Sequence, residues 1–243
     1  MRPIHRRDLL VRSCSLGSLA HGIALGEEAP RKPKVVVTGG HPGDPEYGCG
    51  GTIARYADLG HAVVLLYLNA GVPSGKPKDG GRVAEAGKAC AILNARPIFA
   101  GQVDGEAVVD RGHNEAFRKL LGSESPDAVF THWPLDDHAD HRAMSMLLYD
   151  AWLRTGRRFA LYYYEVSNGE DTVQFAPTHH VDITLSEPRK RRACFAHASQ
   201  SPERFYALQE RVTRFRGIER GCSHAEGFIC HVRSPDFPLP PPT

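Results

Sequence analysis

From Lys34 onward, short β-branched runs alternate with longer stretches of helical spacing. Lys34 to Gly40 is a β-branched run closed by two glycines, and Cys49 to Gly60 sets Ile53, Tyr56, Ala57 and Leu59 on one side of a helix. His61 to Ala70 is almost continuously apolar, as expected of a strand covered on both faces. The rhythm repeats with a helix over Arg82–Asn94, a strand over Arg96–Gly101, a helix over His113–Leu121, a strand over Asp127–Trp133 and a helix over Ala139–Thr155. Strands alternating with helices predict a doubly wound, mostly parallel sheet with helices on both faces. Beyond Arg157 the order changes. Phe159–Val166, His179–Thr184 and Gly227–Val232 read as strands, and Glu187–Ala198 and Glu203–Gly217 as helices. Pro235–Thr243 holds five prolines in nine residues and is expected to lie extended on the surface. Gly71–Gly81, rich in Gly, Pro and Lys, reads as a mobile flap.

Charge divides the chain unevenly. The first 34 residues hold seven Lys/Arg against three Asp/Glu, which leaves 23 basic against 25 acidic residues in the body. Such a body argues against a nucleic-acid binder. His5-Arg6-Arg7-Asp8-Leu9-Leu10-Val11, followed by a weakly apolar run to Gly26, resembles a twin-arginine export signal, so residues 1–30 are expected to direct export to a periplasmic or extracytoplasmic site. The alternative is a basic arm on a cytoplasmic protein. Past this segment no run approaches the ~18 apolar residues of a membrane span. Cys14, Cys49, Cys90, Cys194, Cys222 and Cys230 form no C-x-x-C pair, which argues against a structural zinc cluster. Buried free thiols are expected, with Cys222–Cys230 the one bridge considered.

In an open parallel sheet, ligands bind beyond the carboxyl ends of the strands. Two such places carry chemistry. The first strand runs into Gly39-Gly40-His41-Pro42-Gly43-Asp44-Pro45-Glu46, a loop stiffened by two prolines; the fourth runs into His132-Trp133-Pro134-Leu135-Asp136-Asp137-His138-Ala139-Asp140-His141. His138 and His141, three apart at a helix start, share a face. Histidines and a carboxylate meeting at one sheet edge make an open mixed N/O site suited to Zn²⁺ or another divalent ion. The glycines of the first loop do not spell G-x-G-x-x-G, and the second strand ends in Asn69-Ala70-Gly71 without a ribose-binding acid, so a dinucleotide site is set aside.

These two motifs together resemble the LmbE-like, or PIG-L, family of zinc-dependent N-deacetylases. His41-Pro42-Gly43-Asp44-Pro45-Glu46 is similar to that family's His-Pro-Asp-Asp-x-Glu, and His138-Ala139-Asp140-His141 matches its His-x-Asp-His; Arg82 with Glu85, His197-Ala198-Ser199-Gln200 and Ala225–Phe228 are similar to further family segments. The resemblance implies a single-domain, Rossmann-like three-layer α/β/α fold over residues 31–234, followed by the proline-rich tail 235–243. It implies one Zn²⁺ held by His41, Asp44 and His141, with His138 beside the scissile amide, Asp140 orienting an imidazole and Arg82 contacting substrate. The implied activity is removal of an N-acetyl group from a small amino-sugar or glycoconjugate. A homo-oligomer is left open.

The chain departs from the family at one position. Where the family carries an Asp that acts as general base, this sequence has Gly43. A positioned base contributes about 10²–10⁴-fold in rate, so hydrolysis survives if Glu46, Asp137 or Asp140 reaches the water or if hydroxide on the zinc attacks unassisted; otherwise the protein binds a sugar at a zinc centre without turning it over.

Overall fold

The computed structural model describes residues 31–76, 80–167 and 172–242. The expected export signal and Cys14 lie outside the described residues. Five parallel strands come first: β1 (Lys34–Gly39), β2 (Ala62–Pro73), β3 (Arg96–Asp104), β4 (Ala128–His132) and β5 (Ala160–Tyr164). Between them run α1 (Asp44–Asp58), α2 (Gly81–Leu93), α3 (Arg111–Glu124) and α4 (Ala139–Arg154). Then follow β6 (His179–Asp182), α5 (Glu187–Phe195), α6 (Pro202–Arg220) and β7 (Ala225–Cys230), and the sheet order is β3-β2-β1-β4-β5-β7-β6 with β7 antiparallel to both neighbours. The doubly wound expectation holds. β1 lies between β2 and β4, so the chain reverses its winding there, and the cleft expected at such a switch point opens beyond His41.

Alternation along the strands builds two cores. Val35 and Val37, Leu65 and Tyr67, Phe130, Tyr162 and Tyr164 face α1, α2, α5 and α6. Val36, Val64 and Leu66, Val129, Leu161 and Tyr163 face Phe117 and Leu121 of α3 and Met144, Leu147, Leu148 and Trp152 of α4. Each such side chain contributes roughly 1.5–3 kcal/mol when fully buried. The three consecutive tyrosines thus pack in the cores and do not line the cleft.

The start of α1, expected as loop, is helical. Pro45 falls in the first turn, where the missing proline N–H would have had no carbonyl partner, and the helix then runs through the glycines that mask its pattern. A β-carbon at Gly48 would stand 2.3 Å from the ring of Tyr164, so the glycine lets α1 lie against the sheet. β3 likewise runs past its expected end: Gly101, at φ +84°, falls within a stretch of shifted β2–β3 register rather than at a strand end, and the strand continues to Asp104. The ends of the expected 71–81 flap are taken into β2 and α2, and residues 77–79 lie outside the described ones.

Residues 235–242 form neither helix nor strand. Tyr162 Oη donates to the Phe237 carbonyl at 2.8 Å and Tyr56 Oη to that of Pro238 at 3.0 Å, while the Phe237 ring packs on the core. Cys222 and Cys230 are free thiols, so the one bridge considered is not formed. No described helix is long and apolar enough to cross a membrane.

A buried ion pair fastens α5 to α1 and β7. Lys190 Nζ lies 2.6 Å from Glu226 Oε1, and the same carboxylate accepts from the backbone N–H groups of Gly51 and Thr52 and from Thr52 Oγ1. Removing one member leaves an uncompensated buried charge, worth roughly 3–5 kcal/mol. Lys190→Met is therefore expected to shift the urea midpoint strongly downward in equilibrium unfolding. An unchanged midpoint would show that the pair carries no stability.

Candidate metal centre

Four strand ends supply the site. His41 follows β1, Asn69 lies in the last part of β2, Asp104 ends β3, and His132 ends β4 ahead of the turn that leads into α4 with His138, Asp140 and His141. Asp44 opens α1, where the positive end of the helix dipole favours a carboxylate. All the residues expected to form the site meet here.

The centre of the cluster is one oxygen. Asp44 Oδ2 accepts the backbone N–H of His41 at 2.7 Å and stands 3.3 Å from His41 Nδ1, 3.1 Å from His141 Nε2 and 3.3 Å from His132 Nε2. Each of the two flanking imidazoles meets carboxylate on its far side as well. His41 Nε2 lies 3.0 Å from both Asp140 Oδ2 and Asp104 Oδ1, and His141 Nδ1 lies 2.9 Å from Asp136 Oδ1. The far nitrogens therefore carry the ring protons, and the near nitrogens, His41 Nδ1 and His141 Nε2, turn lone pairs toward a carboxylate oxygen. That arrangement is repulsive unless something positive lies between them. Two nitrogens and an oxygen, all buried, with the opposite edge of each imidazole on a carboxylate, fit a divalent cation such as Zn²⁺.

Without a cation, protons take that role. Burial disfavours the imidazolium of His41, but Asp104, Asp140 and Asp44 raise its pKa well above the ordinary range. Burial likewise opposes the charge on His141, and Asp44 with Asp136 nonetheless pushes it up to about 9. Burial would raise Asp44, and His141, His132 and His41 hold it well below the usual carboxylate range. His132 behaves differently. Burial and the neighbouring His141 charge push it down to about 4; its Nε2 accepts the N–H of Gly40 at 3.1 Å, and its ring stacks on His141 at 3.9 Å between centroids. It braces His141 as a neutral ring.

Asp140 is fully buried and accepts from Asn69 Nδ2 and the Gly105 and Ala107 N–H groups besides facing His41. His138 caps α4: its Nδ1 accepts the N–H of Asp140 at 3.1 Å, which places the proton of the neutral ring on Nε2. The site opens into a cleft of about 370 Å³ lined by His41, Asp44, Asp104, His138 and His141 together with Tyr47, Arg82, His197 and the start of α6.

Gly43 lines the cleft at φ +114°, a conformation L side chains rarely adopt; a β-carbon there would meet only the rings of Tyr47 at 3.6 Å and His197 at 3.9 Å. Of the acids expected to replace its missing carboxylate, Glu46 is buried and held by Tyr67 Oη, the Gly43 N–H and His197 Nε2. Asp140 is occupied as described, and Asp137 is exposed outside the cleft lining. Sequence reasoning missed Asp104, Asp136 and the bracing His132. Asp136 and His132 stand in the same stretch as the two histidines, and Asp104 lies past a glycine that has the look of a strand end.

Metal uptake must displace the protons on His41 and His141. Apparent affinity is expected to rise with pH as His141, at about 9, and His41, held well above its ordinary range, give up their protons, with proton release at pH 7 visible as a buffer-dependent heat. The metal-free protein has the opposite slope: the His141 charge stabilises it below pH ~6.5, and that stabilisation is lost as pH rises through about 9. Asp136→Asn is expected to weaken zinc binding by about 10–100-fold, read by competition with a chelating dye. An affinity independent of pH, without proton release, would contradict the site.

Residues 36–152 match the family model described as PIG-L: GlcNAc-PI de-N-acetylase. Among solved structures, a conserved protein from Thermus thermophilus is 27% identical with a TM-score of 0.73, over 84% of this chain and 97% of that one. The N,N'-diacetylchitobiose deacetylase from Pyrococcus horikoshii, solved with an inhibitor, is 23% identical with a TM-score of 0.70, over 82% of this chain and 83% of that one. GalB, the 4-carboxy-2-hydroxymuconate hydratase from Pseudomonas putida KT2440, is 21% identical with a TM-score of 0.73, over 85% of this chain and 99% of that one. At those identities the last two share the fold, which hosts more than one chemistry. Both motifs lie inside the matched segment and the fold frames them, so residues 36–152 carry a PIG-L, or LmbE-like, domain.

Proposed function

We propose that this protein is a metal-dependent N-deacetylase acting on an acetylated amino-sugar. The observation that carries the reading is the convergence of His41 Nδ1, Asp44 Oδ2 and His141 Nε2 at the floor of an open cleft, with Asp140 and Asp104 behind one imidazole and Asp136 behind the other. The family match and the deacetylase among the structural neighbours support the amide as the bond attacked and the amino-sugar as the substrate class. Bound there, Zn²⁺ would supply Lewis acidity toward the acyl carbonyl and the attacking water.

The chain's own residues divide the remaining work. His138, on the cleft lining, serves as hydrogen-bond donor to the developing oxyanion and as proton donor to the departing amine. Asp140 fixes His41, and Asp136 fixes His141. Arg82, held by the carbonyls of Gly71 and Pro42, contacts the sugar. Asp104 lines the cleft and, through its hydrogen bond with His41 Nε2 on the side of the ring away from Asp44, fixes that imidazole together with Asp140. The second reading, a zinc-containing sugar-binding protein without turnover, is favoured by Gly43 alone.

Amine release from N-acetylated amino-sugars, with and without Zn²⁺ and after chelation, tests the two readings. Metal-dependent release is expected, and Asp104→Asn, which loosens His41, should lower zinc affinity and release together by about 10-fold or more. Sugar binding with bound zinc and no release would establish the second reading. Gly43→Asp does not simply restore a base: it places an L side chain at φ +114° and is expected to lower stability by about 1–3 kcal/mol in thermal unfolding.

A further inference from the structure

The cleft lining carries two carboxylates, Asp44 and Asp104, and two guanidinium groups, Arg82 and Arg204. Both carboxylates are engaged with imidazoles. Neither guanidinium is paired in that way. Arg82 donates to two backbone carbonyls, those of Gly71 at 3.1 Å and Pro42 at 3.0 Å, and feels Asp104 only through space. Its seat is built: a β-carbon at Gly71 would stand 2.4 Å from the guanidinium carbon.

Arg204 is exposed, lies 5.4 Å from the centroid of the Phe205 ring, and has no carboxylate partner among the described residues. On α5 and α6, Arg189, Arg214 and Arg216 each pair with an acid, whereas Arg191, Arg192, Arg211 and Arg220, like Arg204, have no carboxylate partner among the described residues; of the unpaired ones Arg204 alone lines the cleft. Arg204 also stands in the first turn of α6, where a cation opposes the helix dipole and where Ser201 makes no side-chain cap. Helix stability alone would select against an arginine at that place. An anionic group entering the cleft would meet the guanidinium forks, which match carboxylate and phosphate oxygens, and the positive end of α6.

We propose that the cleft selects acetylated amino-sugars bearing an anionic group, a carboxylate or a phosphate, which Arg204 and Arg82 receive while the acetamido group faces His41, Asp44 and His141. This rests on the deacetylase reading of the same cleft. Arg204 sets substrate preference and takes no part in bond breaking.

The test compares kcat/KM of the purified full chain on N-acetylglucosamine, N-acetylmuramic acid and N-acetylglucosamine 6-phosphate. At least one of the two acids is expected to exceed the neutral sugar by about tenfold. That ratio should collapse in Arg204→Gln and Arg204→Glu, fall with added salt, and persist in Arg211→Gln, an exposed position of α6 outside the cleft lining. Which acid is preferred separates a carboxylate from a phosphate ligand. A wild-type ratio near one, or a ratio unmoved by both Arg204 variants, overturns the proposal. If no sugar releases amine, the deacetylase reading fails on its own, and calorimetric Kd values for the same three sugars decide the anion preference. Tighter acid binding, lost in Arg204→Glu, then supports it, and equal Kd values overturn it.

Discussion

One buried carboxylate oxygen governs the site. Asp44 Oδ2 is ringed by His41, His132 and His141 and anchored by the His41 backbone N–H, and the charge is held where water cannot stabilise it. Only the helix end beneath it and the positive partners around it make that tolerable. Asp136 and Asp140 claim the outward nitrogens of His141 and His41, and His132 Nε2 accepts from Gly40, so without a cation the carboxylate depends on both His41 and His141 being doubly protonated. The site is assembled in surplus negative charge, and a divalent cation is the simplest complement.

The fold exists in this form around that constraint. For Asp44 to reach the strand ends, α1 must start immediately beyond β1 and lie close on the sheet, which Gly48 permits against Tyr164. For Asp104 to reach His41, β3 must extend past its glycine, and paired residues as far as Pro73 and Asp104 hold that extension to β2. The Lys190–Glu226 pair, far from the reacting groups, keeps α5 on the back of α1. Stability and site geometry therefore share the same helix.

Much of this is legible in the sequence. Strand–helix alternation determines the architecture, and the topology of parallel sheets is enough to bring His41 and Asp44 to one edge with His138, Asp140 and His141. The features that stay hidden do so for physical reasons. A helix that packs through glycines has no apolar stripe at its start, so the first turns of α1 look like loop. Gly101 carries the turn chemistry of a strand end while lying inside a strand. Asp136 and Asp137 are indistinguishable as letters, and only the turn between β4 and α4 buries the first and exposes the second. The pairing of Asp104 with His41 is a contact across 63 positions of chain that no local pattern announces.

Gly43 shows how a family motif can change while its surroundings persist. The backbone there is shaped for glycine, and the neighbouring acids are tied into the frame. The most direct measurement is anomalous diffraction at the zinc edge from crystals grown with zinc. A single peak between His41 Nδ1, Asp44 Oδ2 and His141 Nε2 is the result expected. A peak on the other side of His41, among Nε2, Asp104 and Asp140, or none at all, would contradict the assignment of the centre.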